Sequence, residues 1–366
     1  MRKINSFLIT ACFSVILFSA CSKTEGTTVG SSTGVGPFRK EQNVSLSLGG
    51  AAVPAVTKLT GLYDPNESRI ERWAYWAFND SGVAVKCGVG GSNLHADIRL
   101  MTGTYTIVVL ANYPTSGTWT VPVRAGVTKT ELLNRVSELS SNAYNCFVME
   151  GEKAVTVTDD AMSPIEVKVA RLVSKVGVRR ISVNYTVARL NNKITILKGI
   201  YLTNLYRTAR YGSDYTSAEL NGSRSMWYNT MGWHRWGGEQ VSGAIDALVG
   251  DTGLSTTIST ASPHTQEHYF YCYPNPSSPE NDTHDTSVWS VRSTRLIIET
   301  EVDGESFYYQ IQLPAMKRNT PYVAAEVVIR DLGSSDPEEF IPGTLDVVLS
   351  TAVAGWEGNY NVIEES

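Results

Sequence analysis

From Val44 onward the sequence is built from short runs in which apolar and polar residues alternate, separated by Gly, Pro, Asn and Asp. A period of two sends one side chain to a core and the next to water, the signature of a half-buried strand. Val44-Ser45-Leu46-Ser47-Leu48 alternates without a break; residues 70–78 form an aromatic run ending at Asn79-Asp80-Ser81-Gly82, and residues 103–112 end at Tyr113-Pro114. Each stop carries turn chemistry, so the chain reads as an all-β sandwich protein. One helix is expected, where Thr128-Lys129-Thr130-Glu131 makes a capping box ahead of Leu132, Leu133, Val136 and Leu139.

A second set of such runs begins near Ala170, at 176–185, 193–205, 267–273, 294–302, 306–313 and 322–329, with a last one at 344–353. With 366 residues and 42% hydrophobic content, two domains with real cores are affordable. The expected division is residues 43–169 and 170–366. Charged residues are only 18% and the net charge is −5, the wrong sign for a phosphate-neutralising nucleic-acid binder. Tyr (18) outnumbers Phe (9), a composition expected of exported β-sheet proteins that present hydroxyls to water.

Export is also expected from the first 20 residues. Arg2 and Lys3 precede an apolar stretch, residues 7–18, too short to span a bilayer, and Leu17-Phe18-Ser19-Ala20 leads into Cys21. Small residues before a Cys suit lipoprotein signal peptidase, so residues 1–20 read as a lipoprotein signal and Cys21 as the lipidated residue. Each buried methylene contributes about 0.8 kcal/mol, so several acyl chains would hold the protein to a membrane. Residues 21–42, rich in Gly, Ser and Thr, read as a flexible tether. Cys87, Cys146 and Cys272 are odd in number, form no CxxC, and read as small buried hydrophobes.

His264-Thr265-Gln266-Glu267-His268 matches the inverted zinc-peptidase pattern HxxEH, which needs both His on one helical face. The surroundings read as strand, where residues four apart stand about 13 Å apart, so neither a metal site nor a catalytic group is expected. Between 206 and 243 the chain lacks a clear period and is crowded with aromatics. Loops of that length are functional or packed down, and Trp227, Trp233 and Trp236 are the candidates for contact with a glycan or protein receptor.

Taken in order, Cys21, residues 44–48, Gly103-Thr104-Tyr105-Thr106, Ala111-Asn112, Ala170-Arg171-Leu172-Val173-Ser174-Lys175, Tyr271-Cys272-Tyr273-Pro274-Asn275, Lys317-Arg318-Asn319-Thr320-Pro321-Tyr322, Gly333, Pro337-Glu338 and Trp356 resemble the fimbrillins, subunits of type V pili in Bacteroidales. The resemblance implies two tandem transthyretin-like β-sandwiches, no enzymatic activity and no cofactor. It places the protein at the cell outer membrane, surface-exposed, in a fimbrium that serves adhesion. It also implies assembly with other pilus subunits by strand exchange: a trypsin-like protease removes the first strand (Val44, Leu46, Leu48), and a neighbour's C-terminal strand (Leu345, Val347, Leu349, Val353) replaces it. The family's usual Arg after the first strand is missing; Lys58 and Arg69 are the basic residues available for the cut, and an uncut chain would stay anchored through Cys21. A monomeric lipoprotein that binds glycan through residues 206–236 is the rival reading.

Overall fold

The computed structural model describes residues 40–49, 65–90, 94–220, 227–229, 239–240, 248–281 and 292–350. Its first half contains β1 (Glu41–Gly49), β2 (Trp73–Phe78), β3 (Ala84–Gly90), β4 (His95–Met101), β5 (Gly103–Ala111), α1 (Lys129–Leu133), β6 (Val136–Glu138), β7 (Met149–Val157), β8 (Ile165–Lys168) and β9 (Ala170–Arg171). These strands form one sheet ordered β4-β1-β8 and a larger one ordered β3-β2-β5-β7-β9. All six β2 side chains are buried, which fits its apolar sequence WAYWAF and its place inside the larger sheet. On the edge strand β3, Gly88 and Gly90 lie under Tyr75 and Trp73; a Cβ at position 90 would sit 2.3 Å from the indole. Glycine there lets the rings cover the sheet edge.

The capping box forms as expected, with the Glu131 amide donating to Thr128 Oγ1 at 3.1 Å. The helix is shorter than its spacing suggests: it stops at Asn134, Val136 enters β6 and Leu139 a 3₁₀ turn. A strand partner for β6 in the second half supplies the pairing that ends it.

That half contains β10 (Ser174–Val178), β11 (Ile181–Val183), β12 (Thr195–Thr203), β13 (Leu205–Tyr206), β14 (Thr208–Arg210), β15 (Trp227–Asn229), β16 (Glu239–Gln240), β17 (Gly250–Asp251), β18 (Thr256–Ile258), β19 (His268–Cys272), β20 (Arg295–Val302), β21 (Glu305–Gln312), β22 (Pro321–Ile329) and β23 (Leu345–Ser350). One sheet runs β11-β22-β10-β19 with β23 on the free side of β22; the other runs β17-β12-β20-β21, with β18 also on β12. β6 pairs with β14. The run expected at 176–185 is divided into β10 and β11, because Arg179 and Arg180 turn outward to Glu267 (2.6 Å) and Glu326 (2.9 Å).

The all-β architecture agrees with the sequence reading. The sheets of the first half end with β9, two residues beyond the expected boundary, since Ala170 and Arg171 pair with Glu150 and Met149 of β7. A continuous apolar core extends through residues of both halves. The tyrosines depart from expectation, because Tyr201, Tyr206, Tyr211, Tyr271, Tyr273 and Tyr309 are fully buried. Inside, a phenol joins halves: Asn142 donates to the Tyr273 hydroxyl at 3.0 Å, which lies 2.9 Å from Ser137 Oγ.

Candidate functional site

β1 is the middle strand of its sheet, antiparallel to β4 (Val44 opposite Ile98, Leu46 opposite Ala96) and parallel to β8 (Leu46 opposite Ile165, Leu48 opposite Val167). Val44, Leu46 and Leu48 all point inward, while Ser45 and Ser47 remain half-exposed. Burying such side chains contributes about 1.5–3 kcal/mol each. Withdrawal of β1 would thus open a slot lined by Ile98, Leu100, Ile165 and Val167, with unpaired backbone groups on both sides.

The chain is next described at a 3₁₀ turn, Pro65–Ser68, which is fixed by buried charge. The Glu67 carboxylate accepts from Lys175 Nζ and from the Tyr271 hydroxyl, each at 2.6 Å. Arg171 donates to the Glu67 carbonyl and to Ser68 Oγ, both at 2.8 Å, and to Asn319 Oδ1 at 3.2 Å. Glu67, Arg171 and Lys175 are all buried. Lys175 also sits 4.2 Å from the Tyr269 ring centre. Burial, followed by the Glu67 charge and its hydrogen bond, holds the Tyr271 phenol far above its ordinary range. Arg171 of β9 thus holds the turn to the end of the first half, and Lys175 and Tyr271 tie it to the second.

Arg69 lies directly beyond this turn. Its guanidinium is 43% exposed and 3.5 Å from Glu71. Its backbone is held: Asn112, at φ 53°, donates from Nδ2 to the Arg69 carbonyl (2.8 Å) and accepts from the Glu71 amide (2.9 Å). Ser68 and Ile70 on either side are buried. A protease that draws an extended segment into its cleft meets a fixed turn at Arg69. Lys58, the other maturation candidate, and Cys21 lie outside the described residues.

β23 is an edge strand antiparallel to β22, with a register irregularity between Ala324 and Val327. Leu345 and Leu349 are half-buried, Val347 is 37% exposed and Val348 78%. With Ile311, Phe340 and Ile341, the side chains of Leu345, Val347 and Leu349 line a cavity of about 250 Å³ at the seam between β23 and β21. The Arg330 to Asp346 pair at 2.6 Å fastens the strand's start. Val353 lies outside the described residues.

In the aromatic segment Tyr206, Tyr211 and Trp227 pack inward, while Tyr215 is half-buried beneath Arg210. Trp227 is buried, its ring centre 3.8 Å from that of Tyr206, so of the three candidate ligand contacts this one is a core residue instead. Trp233 and Trp236 lie outside the described residues. Cys272 is buried as expected, and burial pushes its thiol up to about 12; Cys87 and Cys146 are only half-buried. The histidines of HxxEH are not about 13 Å apart: His264 precedes β19, in an isolated bridge to Ile181, and its Nε2 lies 2.7 Å from Nε2 of His268. Among the described residues no group of three or more His, Cys, Asp or Glu could hold a metal ion.

Sequence reasoning missed the Glu67, Arg171 and Lys175 cluster. Its signal was Ala170-Arg171-Leu172-Val173-Ser174-Lys175, two cations inside an apolar run, which in a buried strand require a carboxylate partner.

Fold and site together define a class: β-sandwich proteins whose first strand fills a slot between two later ones. Within it, residues 44–188 match the family model described as major fimbrial subunit protein (FimA), so the resemblance to the fimbrillins is borne out there. No curated protein matches the sequence. Among solved structures, a candidate cell adhesion protein of Bacteroides eggerthii is similar with a TM-score of 0.60 at 17% identity, covering 86% of this chain and 96% of its own. Another from Parabacteroides distasonis gives 0.58 at 14%, covering 86% and 98%. A fimbrilin of Porphyromonas gingivalis gives 0.54 at 13%, covering 84% and 96%. At these identities the likeness is one of fold, and it extends well beyond the segment matched by the family model.

Proposed function

We propose that this protein is a structural subunit of a cell-surface pilus, without enzymatic activity, that joins its neighbours by exchange of β1 for a strand like β23. The observation that carries the reading is the match between the two segments. β1 presents Val44, Leu46 and Leu48 inward at i, i+2 and i+4; β23 offers Leu345, Val347 and Leu349 at the same spacing, again two leucines and a valine. A donated β23 could therefore fill the volume that β1 leaves and pair with β4 and β8. The two sandwich modules meet near residue 170.

Cleavage in this scheme falls at Lys58, since the Arg69 backbone is held by Asn112 next to a turn fixed by buried charge, although its side chain is exposed. To this scheme we add lipidation of Cys21, suggested by the small residues before it, and, from the resemblance to the fimbrillins, a place on the outer membrane and a role in adhesion. A glycan-binding role for residues 206–236 draws no support from Trp227. The test is assembly: after brief trypsin treatment the wild-type chain is expected to form a ladder of polymers on size-exclusion chromatography, while Lys58→Ala remains monomeric. A wild-type chain that is cut at Lys58 and stays monomeric would overturn strand exchange.

A further inference from the structure

The second half contains a side-chain cluster that pilus assembly does not use. His268 on β19 belongs to one sheet and Asp251 on β17 to the other, and Asp251 Oδ2 lies 3.4 Å from His268 Nδ1. The opposite nitrogen of His268 faces His264, with Nε2 atoms 2.7 Å apart, ring centres 5.0 Å apart and ring planes within 22°. This is an end-to-end contact rather than a face-to-face stack, and it can exist only with a proton between the nitrogens. Both rings are buried. The backbone of His264 is tied to Ile181 of β11 by a pair of hydrogen bonds, 2.8 and 2.9 Å.

We propose that Asp251, His268 and His264 form an acid-labile latch that fastens the segment around His264 to β19, with Asp251 of the other sheet as its counter-charge, and that it accepts a single added proton and opens on the second. In the neutral state His268 carries its proton on Nδ1, toward Asp251, and His264 carries its own on Nε2, donated to His268 Nε2. One added proton can be taken up if His268 becomes the Nε2 donor and the proton of His264 moves to Nδ1; the resulting single positive charge faces Asp251. A second proton would leave two N–H groups pointing at each other across 2.7 Å. The rings must then separate, and the segment that bridges Ile181 leaves with His264.

The surroundings leave Asp251 as the charge that acts on both rings. Glu267, next to His268, is neutralised by Arg179 at 2.6 Å and accepts from the Tyr269 hydroxyl at 2.6 Å; Arg180, beside Ile181, is paired with Glu326. Residues opposite the pair on β10 and β12, Val178 and Ile200, are apolar. Burial lowers the proton affinity of both histidines, and for His268 the neighbouring ring lowers it further, against a smaller opposing effect of Asp251. In the unfolded chain both titrate near 6.5. Folded-state depression means that the contribution of the latch is complete above about pH 6.5 and is lost as pH falls below it.

The test is chemical unfolding of the full chain at steps from pH 8 to pH 5. Each proton taken up only on unfolding makes the unfolding constant rise tenfold per pH unit. The wild type is expected to show this extra factor of about ten per unit below pH 6.5 relative to His264→Gln. Equal pH dependence of the two would overturn the latch. If His264→Gln does not fold, nitrogen NMR of the wild-type imidazoles decides: a shared Nε2 proton that persists through uptake of one proton supports it, and two rings that titrate independently near 6.5 overturn it.

Discussion

A chain that begins at Leu59, without β1, is expected to lose about 4.5–9 kcal/mol, the combined burial of Val44, Leu46 and Leu48 at about 1.5–3 kcal/mol each. Whole domains are stable by about 5–15 kcal/mol, so the truncated protein should unfold tens of degrees lower or self-associate through the open slot. Ile98, Leu100, Ile165 and Val167 would face solvent, and the facing edges of β4 and β8 would present unpaired N–H and C=O groups. A peptide copying residues 345–353 should restore the transition, since it supplies the same alternation. A peptide with Val347→Asp and Leu349→Asp should not, because each carboxylate would enter an apolar wall unpaired. Circular dichroism melting with each peptide measures both effects. An undiminished melting temperature without β1, or equal rescue by both peptides, would contradict the role given to this strand.

Glu67→Gln should destabilise the protein by about 3–5 kcal/mol, the usual cost of leaving a buried charge without its counter-ion. Lys175 would lose its ion pair with Glu67, and Tyr271 would lose its charged acceptor. The same substitution should loosen the turn Pro65–Ser68 and free the backbone at Arg69, whose side chain is already exposed. If local opening becomes easier by about 3 kcal/mol, trypsin cleavage after Arg69 accelerates roughly a hundredfold, because cleavage follows the population of the open form. Peptide mass mapping over time reads this directly. Pairing Glu67→Leu with Lys175→Met should recover much of the stability, as replacing a whole buried ion pair by apolar side chains often does. Equal Arg69 cleavage rates in wild type and Glu67→Gln would show that this buried network does not guard the site.

The strands were readable in the sequence because one face of each is buried and the other wet, as in β1, where Val44, Leu46 and Leu48 announce their own direction. The capping box was readable because its chemistry is local, involving Thr128 and Glu131 only. Features set by distant partners were not readable. The helix ends early because β6 pairs with β14, some seventy residues away. Tyr271 and Tyr273 go inside because their hydroxyls find partners in the first half. Glu67 meets Lys175 over 108 positions of sequence, a separation that no local pattern encodes. His264 and His268 come together because residues 265–267, between the bridge to Ile181 and β19, are not part of the strand. The resemblance read from ordered short segments carried further than any single motif, since each segment alone is weak while their order spans most of the chain.

The most direct measurement of the central claim is the N-terminal sequence and intact mass of subunits taken from assembled polymers on the cell surface. Strand exchange after cleavage at Lys58 predicts subunits that begin at Leu59 and lack residues 44–48. Polymers whose subunits retain β1 covalently attached would contradict it.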